Sequence, residues 1–167
     1  MNDKRELKNP FWFPLGIFLS LLVLAIFAYK SWEQSSKQQE NQSELYSLQQ
    51  LILSQDDVIN TNWLRTLNPL VKNVEGRLVW STILQEGVME FFGLPDIANN
   101  QKYQLWIYDL SNEDSKPIFS KEFSDVESQV MLVPFASKDL IISPFKFELT
   151  LKTENQEGNE PLFLAQP

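Results

Sequence analysis

The chain has 167 residues, 43% of them hydrophobic, and a formal net charge of -8, which fits one ordinary domain with accessory segments rather than a disordered chain. It contains neither cysteine nor histidine, so disulfides, zinc sites built on those residues and catalytic triads with an imidazole base are excluded. Residues 60–167 carry 9 basic and 15 acidic side chains, and a region this acidic does not suit the phosphate backbone of a nucleic acid.

Residues 11–29 contain no charged side chain and predict a transmembrane helix, with the lipid bilayer as its partner. A helix of that length extends about 28 Å, close to the thickness of the hydrocarbon core of a bilayer. Trp12 at one end and Tyr29 with Trp32 at the other are aromatic side chains typical of the membrane interface. A cleaved signal peptide and a buried helix are the alternatives, but the residues after the apolar run lack a small-residue cleavage site.

The orientation of this span follows from the basic residues around it. Three basic side chains lie in residues 1–10, whereas Lys30 and Lys37 are the two in the 15 residues that follow the span. Because cytoplasmic flanks carry the excess of Lys and Arg, residues 1–10 are predicted to be a cytoplasmic tail. The sequence thus predicts a single-pass membrane protein with a cytoplasmic N-terminus and an extracytoplasmic C-terminal domain.

Residues 30–59 predict a helical stalk. The segment is rich in Gln, Ser and Glu and contains no Gly or Pro. It becomes apolar at helical spacing towards its end, with Leu45, Leu48, Leu51, Ile52 and Ile59. This pattern covers fewer than the three or four heptads that a coiled coil needs. We therefore favour a helix that docks on its own domain, and a homodimer formed through the stalk is the alternative.

From residue 60 onwards, short β-rich runs alternate with turn residues, which predicts an all-β sandwich of about 7 to 8 mostly antiparallel strands over residues 60–167. Residues 78–84 and 88–94 predict a hairpin, with Gly87 supplying a positive φ in the connection. A helical turn is expected near residues 137–141. Further strands are predicted at residues 102–109, 117–123, 128–133, 145–152 and 162–165.

The run from residue 103 to residue 108 is dense in aromatic side chains. In a strand, Tyr103 lies on one face, while Trp106 and Tyr108 lie on the other. Exposed aromatic clusters mark binding sites, so these three residues are candidate contacts for a protein partner. The interpretation we favour is that the rings fill the core on both faces of the strand, and the partner contact is the alternative.

No motif predicts a catalytic, cofactor-binding or metal-binding residue. The acidic segment that begins at Asp109 resembles the start of a calcium loop, but it lacks the Gly at the sixth position and has Ser120 where the loop needs a Glu. Ser143 and Lys146 match a serine acyl-enzyme spacing, but Pro144 and the strand pattern after it place them in extended chain. A non-enzymatic protein is expected.

Three motifs together resemble the C-terminal extracytoplasmic domain of the anti-sigma-K factor family, over about residues 70–165: Gly93-Leu94-Pro95, Tyr103-Gln104-Leu105-Trp106-Ile107 and Phe147-Glu148-Leu149-Thr150-Leu151. The cytoplasmic sigma-binding domain of that family has no counterpart in residues 1–10. The resemblance implies a protein of the bacterial inner (cytoplasmic) membrane. Its β-sandwich would take part in regulating sigma factor activity through protein contact. An envelope scaffold or assembly protein that uses the same domain for docking is the alternative function.

Overall fold

The computed structural model describes residues 12–112, 116–124, 126 and 129–167, and the side chains of residues 12–21, 34–38 and 40 lie outside the described part. The chain forms two compact units, Met1–Gln42 and Ser43–Pro167. One long helix, α1, covers Trp12–Leu53. The predicted stalk is therefore helical up to Leu53, and the first strand follows after a short turn.

The predicted membrane span falls partly on residues outside the described part, namely Phe11 and the side chains of residues 12–21, Trp12 among them. Within the part of the chain that the structure describes, no helix combines the length and the hydrophobicity that a bilayer crossing requires. Tyr29 and Trp32, the other two predicted interface anchors, are 63% and 71% exposed.

The described part of the C-terminal unit contains nine strands and a 3-10 turn at Pro69–Val71. The strands are β1 (Val58–Asn62), β2 (Leu64–Arg65), β3 (Glu75–Ser81), β4 (Glu86–Phe92), β5 (Gln101–Asp109), β6 (Ile118–Phe123), β7 (Val130–Ala136), β8 (Pro144–Thr153) and β9 (Glu160–Ala165). The β-rich runs of the sequence predict the last seven of these strands but not β1 and β2. Residues 137–141 contain no helical turn, so that expectation was wrong.

The strands form two antiparallel sheets, one of four strands in the order β1-β3-β4-β7 and one of five in the order β2-β9-β8-β5-β6. A single cluster of buried side chains draws on both sheets. Rings meet across it, with Trp80 of β3 at 6.3 Å from Phe147 of β8 and Phe91 of β4 at 5.7 Å from Phe163 of β9. Alternation along the strands explains this core, because every second side chain of a strand faces the same side.

The chain passes from one sheet to the other at Trp63. β1 pairs with β3 as far as Asn62 opposite Arg77, and β2 then pairs with β9 from Leu64 opposite Leu164. Trp63 lies between the two strands, 6% exposed, with its ring stacked on Phe91 at 5.7 Å. Burial of this large ring fixes the point at which the chain changes sheets.

The β3–β4 hairpin forms as predicted, but its turn is built differently. The positive φ falls on Gln85, at 56°, whereas Gly87 lies inside β4 opposite Trp80 and Phe135. A Cβ on Gly87 would overlap the ring of Phe135, and that ring stacks on Trp80 at 5.4 Å. The prediction that Gly87 supplies the turn's positive φ was therefore wrong, because the glycine is needed to let two rings pack across β4.

The last turns of α1 pack on the four-stranded sheet within the C-terminal unit. Ile52 is fully buried in a small cluster with Val79 of β3 and Val88 of β4, and Leu48 packs against the same cluster. The next residue along the helix from Leu48, Gln49, is also buried. These contacts are the docking on its own domain that the apolar spacing of the stalk favoured.

Candidate functional surface

The candidate surface is the solvent-facing side of the five-stranded sheet. Alternation in β5 places Tyr103, Leu105 and Ile107 in the core, all fully buried, and turns Gln104, Trp106 and Tyr108 outwards, where they are half-buried. The division into two faces is the one predicted from the sequence. The outward row is partly buried, so its rings are neither enclosed as the inward row is, which the favoured interpretation required, nor fully exposed.

Four rings form the apolar part of this surface, which we call the outer aromatic face: Trp106, Tyr108, Phe119 and Phe145. Trp106 meets Phe119 of β6 edge to face, with ring centres 5.4 Å apart. Tyr108 meets Phe145 of β8 in the same way at 6.2 Å. Both phenylalanines remain open to solvent, at 45% and 39% exposure. Edge-to-face pairs are a favoured ring geometry, so the four rings are held in a fixed arrangement.

Polar side chains hold the two central rings in place. The Trp106 Nε1–H donates to Thr150 Oγ1 at 3.1 Å, and the Tyr108 hydroxyl donates to Glu148 Oε2 at 2.7 Å. The Lys146 ammonium donates to the same Glu148 oxygen at 3.1 Å and lies 3.5 Å from the centre of the Tyr108 ring. Burial raises the pKa of Tyr108, and the bond to Glu148 raises it further, so the phenol stays protonated and keeps donating at neutral pH.

A second polar group lies further along β5 and β6. Glu122 of β6 accepts from the Lys102 ammonium and from the Gln104 amide, at 2.7 and 2.8 Å. These two bonds lower the pKa of Glu122. The bond between Lys102 and Glu122 also raises the pKa of Lys102. Asn159, in the loop before β9, donates to Gln104 Oε1 at 3.1 Å. The rings are therefore bordered by polar side chains that are already hydrogen-bonded to one another.

Of the three predicted contact residues, Tyr103 does not belong to this surface. It is fully buried, its ring stacks on Phe123 at 5.2 Å, and its hydroxyl donates to the carbonyl of Pro95 at 2.8 Å. Burial raises its pKa well above the ordinary value. Trp106 and Tyr108 do lie on the surface, together with Phe119 and Phe145. These two phenylalanines were not predicted as contacts, because nothing in their own segments shows that β6 and β8 flank β5.

Asp109 at the end of β5 links two loops. Its carboxylate accepts from the Ser111 N–H and hydroxyl and from the backbone N–H groups of Ile142 and Ser143, at 2.6 to 3.1 Å. Burial alone would raise the pKa of Asp109, but the four donors together lower it. Both oxygens are thus occupied by N–H and O–H groups. Glu113 and Asp114, two further residues of the candidate calcium loop, lie outside the described residues.

Within the described part of the chain, acidic side chains form no group of three or more that could hold a metal ion. The chain was compared with protein-family models, curated proteins and solved structures, and none of them matches it. The fold and the surface together define a β-rich domain of two antiparallel sheets that presents aromatic rings from one of them.

Proposed function

We propose that this chain is a non-enzymatic, single-pass membrane protein of a bacterial envelope, whose β-sandwich acts through protein contact as a regulator of sigma factor activity. The partner binds the outer aromatic face. The proposal takes its regulatory class from the resemblance of three motifs to the extracytoplasmic domain of anti-sigma-K factors. It takes its contact surface from the exposed rings of β5, β6 and β8.

The membrane anchor is supported by composition and by exposure. Residues 11–29 lack charge, and within α1 the large apolar side chains from Leu22 to Tyr29 are 46% to 71% exposed. Apolar side chains left uncovered by protein on successive turns suit a lipid environment. Alkaline phosphatase fused after Pro167 tests the topology, because it is active only when exported: we expect activity, and a cytoplasmic reporter active at that point would exclude the proposed orientation.

The observation that carries the proposed contact is the exposure of Phe119 and Phe145 beside the half-covered Trp106 and Tyr108. Aromatic residues are enriched at the centres of protein interfaces, and a surrounding polar rim that excludes water is typical of such sites. The outer aromatic face has both features. Its rings are already fixed by edge-to-face packing and hydrogen bonds, so little side-chain ordering would be needed when a partner binds.

The mechanism is a shift of populations. A partner or a protease that binds one state of the domain better than another draws the equilibrium towards that state. The anchor keeps this event at the membrane. In this scheme the chain responds to an envelope signal and passes it on through contact, without chemistry of its own.

Photo-crosslinking in intact cells tests the proposal. Benzoylphenylalanine at Phe119 should capture a sigma regulator or a site-two protease, whereas the same group at Ile83, which is 70% exposed in the turn between β3 and β4, should not. Capture of a secretion or wall-assembly complex from Phe119 would support the envelope scaffold instead. If deletion of the gene leaves all sigma-dependent transcripts unchanged, the regulatory proposal fails.

A further inference from the structure

A groove opens where the chain leaves the four-stranded sheet. The β1–β3 ladder ends at Asn62 opposite Arg77, and one more hydrogen bond joins the Trp63 N–H to the Gly76 carbonyl at 3.0 Å. Beyond it, β2 follows the other sheet, and the gap between β2 and the start of β3 is a groove of about 360 Å³. That volume is within the range of small-molecule sites, which is roughly 300 to 1,000 Å³.

Arg65 and Arg77 line the groove. They are the two arginines in residues 12–167. They come from different sheets, in a region whose acidic side chains outnumber its basic ones by 15 to 9 over residues 60–167. A planar guanidinium matches the two oxygens of a carboxylate better than an ammonium does. Arg77 already forms an ion pair with Glu90, so Arg65 supplies the uncompensated positive charge, and the two guanidinium groups together offer N–H donors to an anionic group.

Each guanidinium is held by one bond. Arg65 donates through Nη1 to the Lys72 carbonyl at 2.6 Å, and Arg77 donates through Nε to Glu90 Oε2 at 2.5 Å. Glu90 is 7% exposed, while the Arg77 side chain is 40% exposed. One donor therefore fixes each side chain, and the other N–H groups have no partner among the described residues. A guanidinium group whose position is already fixed loses less conformational freedom when it binds a ligand.

The remaining walls are mostly apolar. Val74 and Trp63 are buried beneath the groove, and Phe92 at the end of β4 is 45% exposed. Glu75, which pairs with Phe92 across β3 and β4, is an exposed acid on the same lining. A bare inorganic anion would gain nothing from the apolar side, so the lining favours a ligand with both an anionic end and an apolar body.

We propose that this groove binds an organic carboxylate with an apolar body. The carboxylate is bound by Arg65 and Arg77, and the body packs on Phe92 and Val74. Glu75 opposes the negative charge of the ligand and so weakens its binding. The site is built from β1 to β4 and is independent of the outer aromatic face on β5, β6 and β8, so its failure leaves the proposed function standing.

The test uses the full chain in detergent micelles and N-acetylphenylalanine as the probe, followed by ligand-observed NMR titration. The amide of the same compound should bind at least about tenfold more weakly, because it lacks the charge that strengthens hydrogen bonds to guanidinium. Inorganic phosphate should also bind more weakly than the acid. Acid and amide binding equally well, phosphate binding as tightly as the acid, or an acid that does not bind would each overturn the proposal.

Variants locate the binding. Arg65→Gln should weaken acid binding about tenfold, and Lys138→Gln, a loss of the same charge away from the groove, should leave it unchanged. Arg77→Gln alone would leave the buried Glu90 carboxylate without its partner, so Arg77→Gln is combined with Glu90→Gln, which should also weaken binding about tenfold. Glu75→Gln should strengthen binding. Wild-type affinity in Arg65→Gln, or weaker binding in Glu75→Gln, would show that the groove does not recognise a carboxylate.

Discussion

Ile52→Ala tests the packing of α1 on the four-stranded sheet. Ile52 is fully buried against Val79 and Val88, and the change removes a methylene and two methyl groups from that cluster. At about 0.8 kcal/mol for each buried carbon group, the lost transfer free energy is about 2.4 kcal/mol. The cavity left behind raises the expected loss to about 3 to 4 kcal/mol, because such sites collapse only in part.

The matched control is Leu51→Ala, since Leu51 is the preceding residue of the same helix and is 51% exposed. It removes a side chain of the same size, and alanine has a slightly better helix propensity in both variants. We expect a loss below about 1 kcal/mol from this change, as for surface substitutions generally.

The assay is urea unfolding of the full chain in detergent, followed by near-ultraviolet circular dichroism of the β-domain aromatic side chains. The free energy of unfolding should fall for Ile52→Ala and remain nearly unchanged for Leu51→Ala, with the same dependence on urea concentration in both. Equal losses in the two variants would mean that the helix end does not stabilise the sheet, and the packing argument would be refuted.

Three further predictions concern single side chains. Gly87→Ala should lower the free energy of unfolding by about 1 to 3 kcal/mol, because the added Cβ overlaps the Phe135 ring; an unchanged urea midpoint would contradict this. Asp109→Asn should cost about 2 kcal/mol at neutral pH, because charge-assisted bonds from four donors are weakened. The pKa of Asp109 in the folded protein lies below its ordinary value of 3.8. The stabilisation by the carboxylate is therefore complete above about pH 4 and is lost as the pH falls through the folded pKa. If the stability curves of the wild type and Asp109→Asn stay parallel down to pH 2, this explanation is wrong. Phe119→Ser should lower the free energy of unfolding by about 1 to 2 kcal/mol, because the half-covered ring loses its edge-to-face pair with Trp106. It should also remove the partner crosslink at a second position of the outer aromatic face, whereas retained capture would exclude that face as the contact.

The sequence by itself determined the local features of the β-domain. Strict alternation placed Tyr103 and Trp106 on opposite faces of one strand, and the β-rich run at residues 145–152 predicted the strand β8. These patterns are readable because a strand turns successive side chains to opposite sides whatever lies around it. The helical spacing of Leu48 and Ile52 likewise predicted the face with which α1 packs.

Only the tertiary structure decided which side of each strand is covered and which distant residues meet. Tyr103 is buried and Trp106 half-open because the second sheet lies on one side of β5, and alternation is symmetric between the two sides. Gly87 serves the stacking of Trp80 on Phe135, a contact between strands more than 50 residues apart in the chain, so its role was misread as a turn. Arg65 and Arg77 line one groove because the chain changes sheets at Trp63. Such contacts depend on the pairing of whole sheets, which the local pattern of residues does not contain.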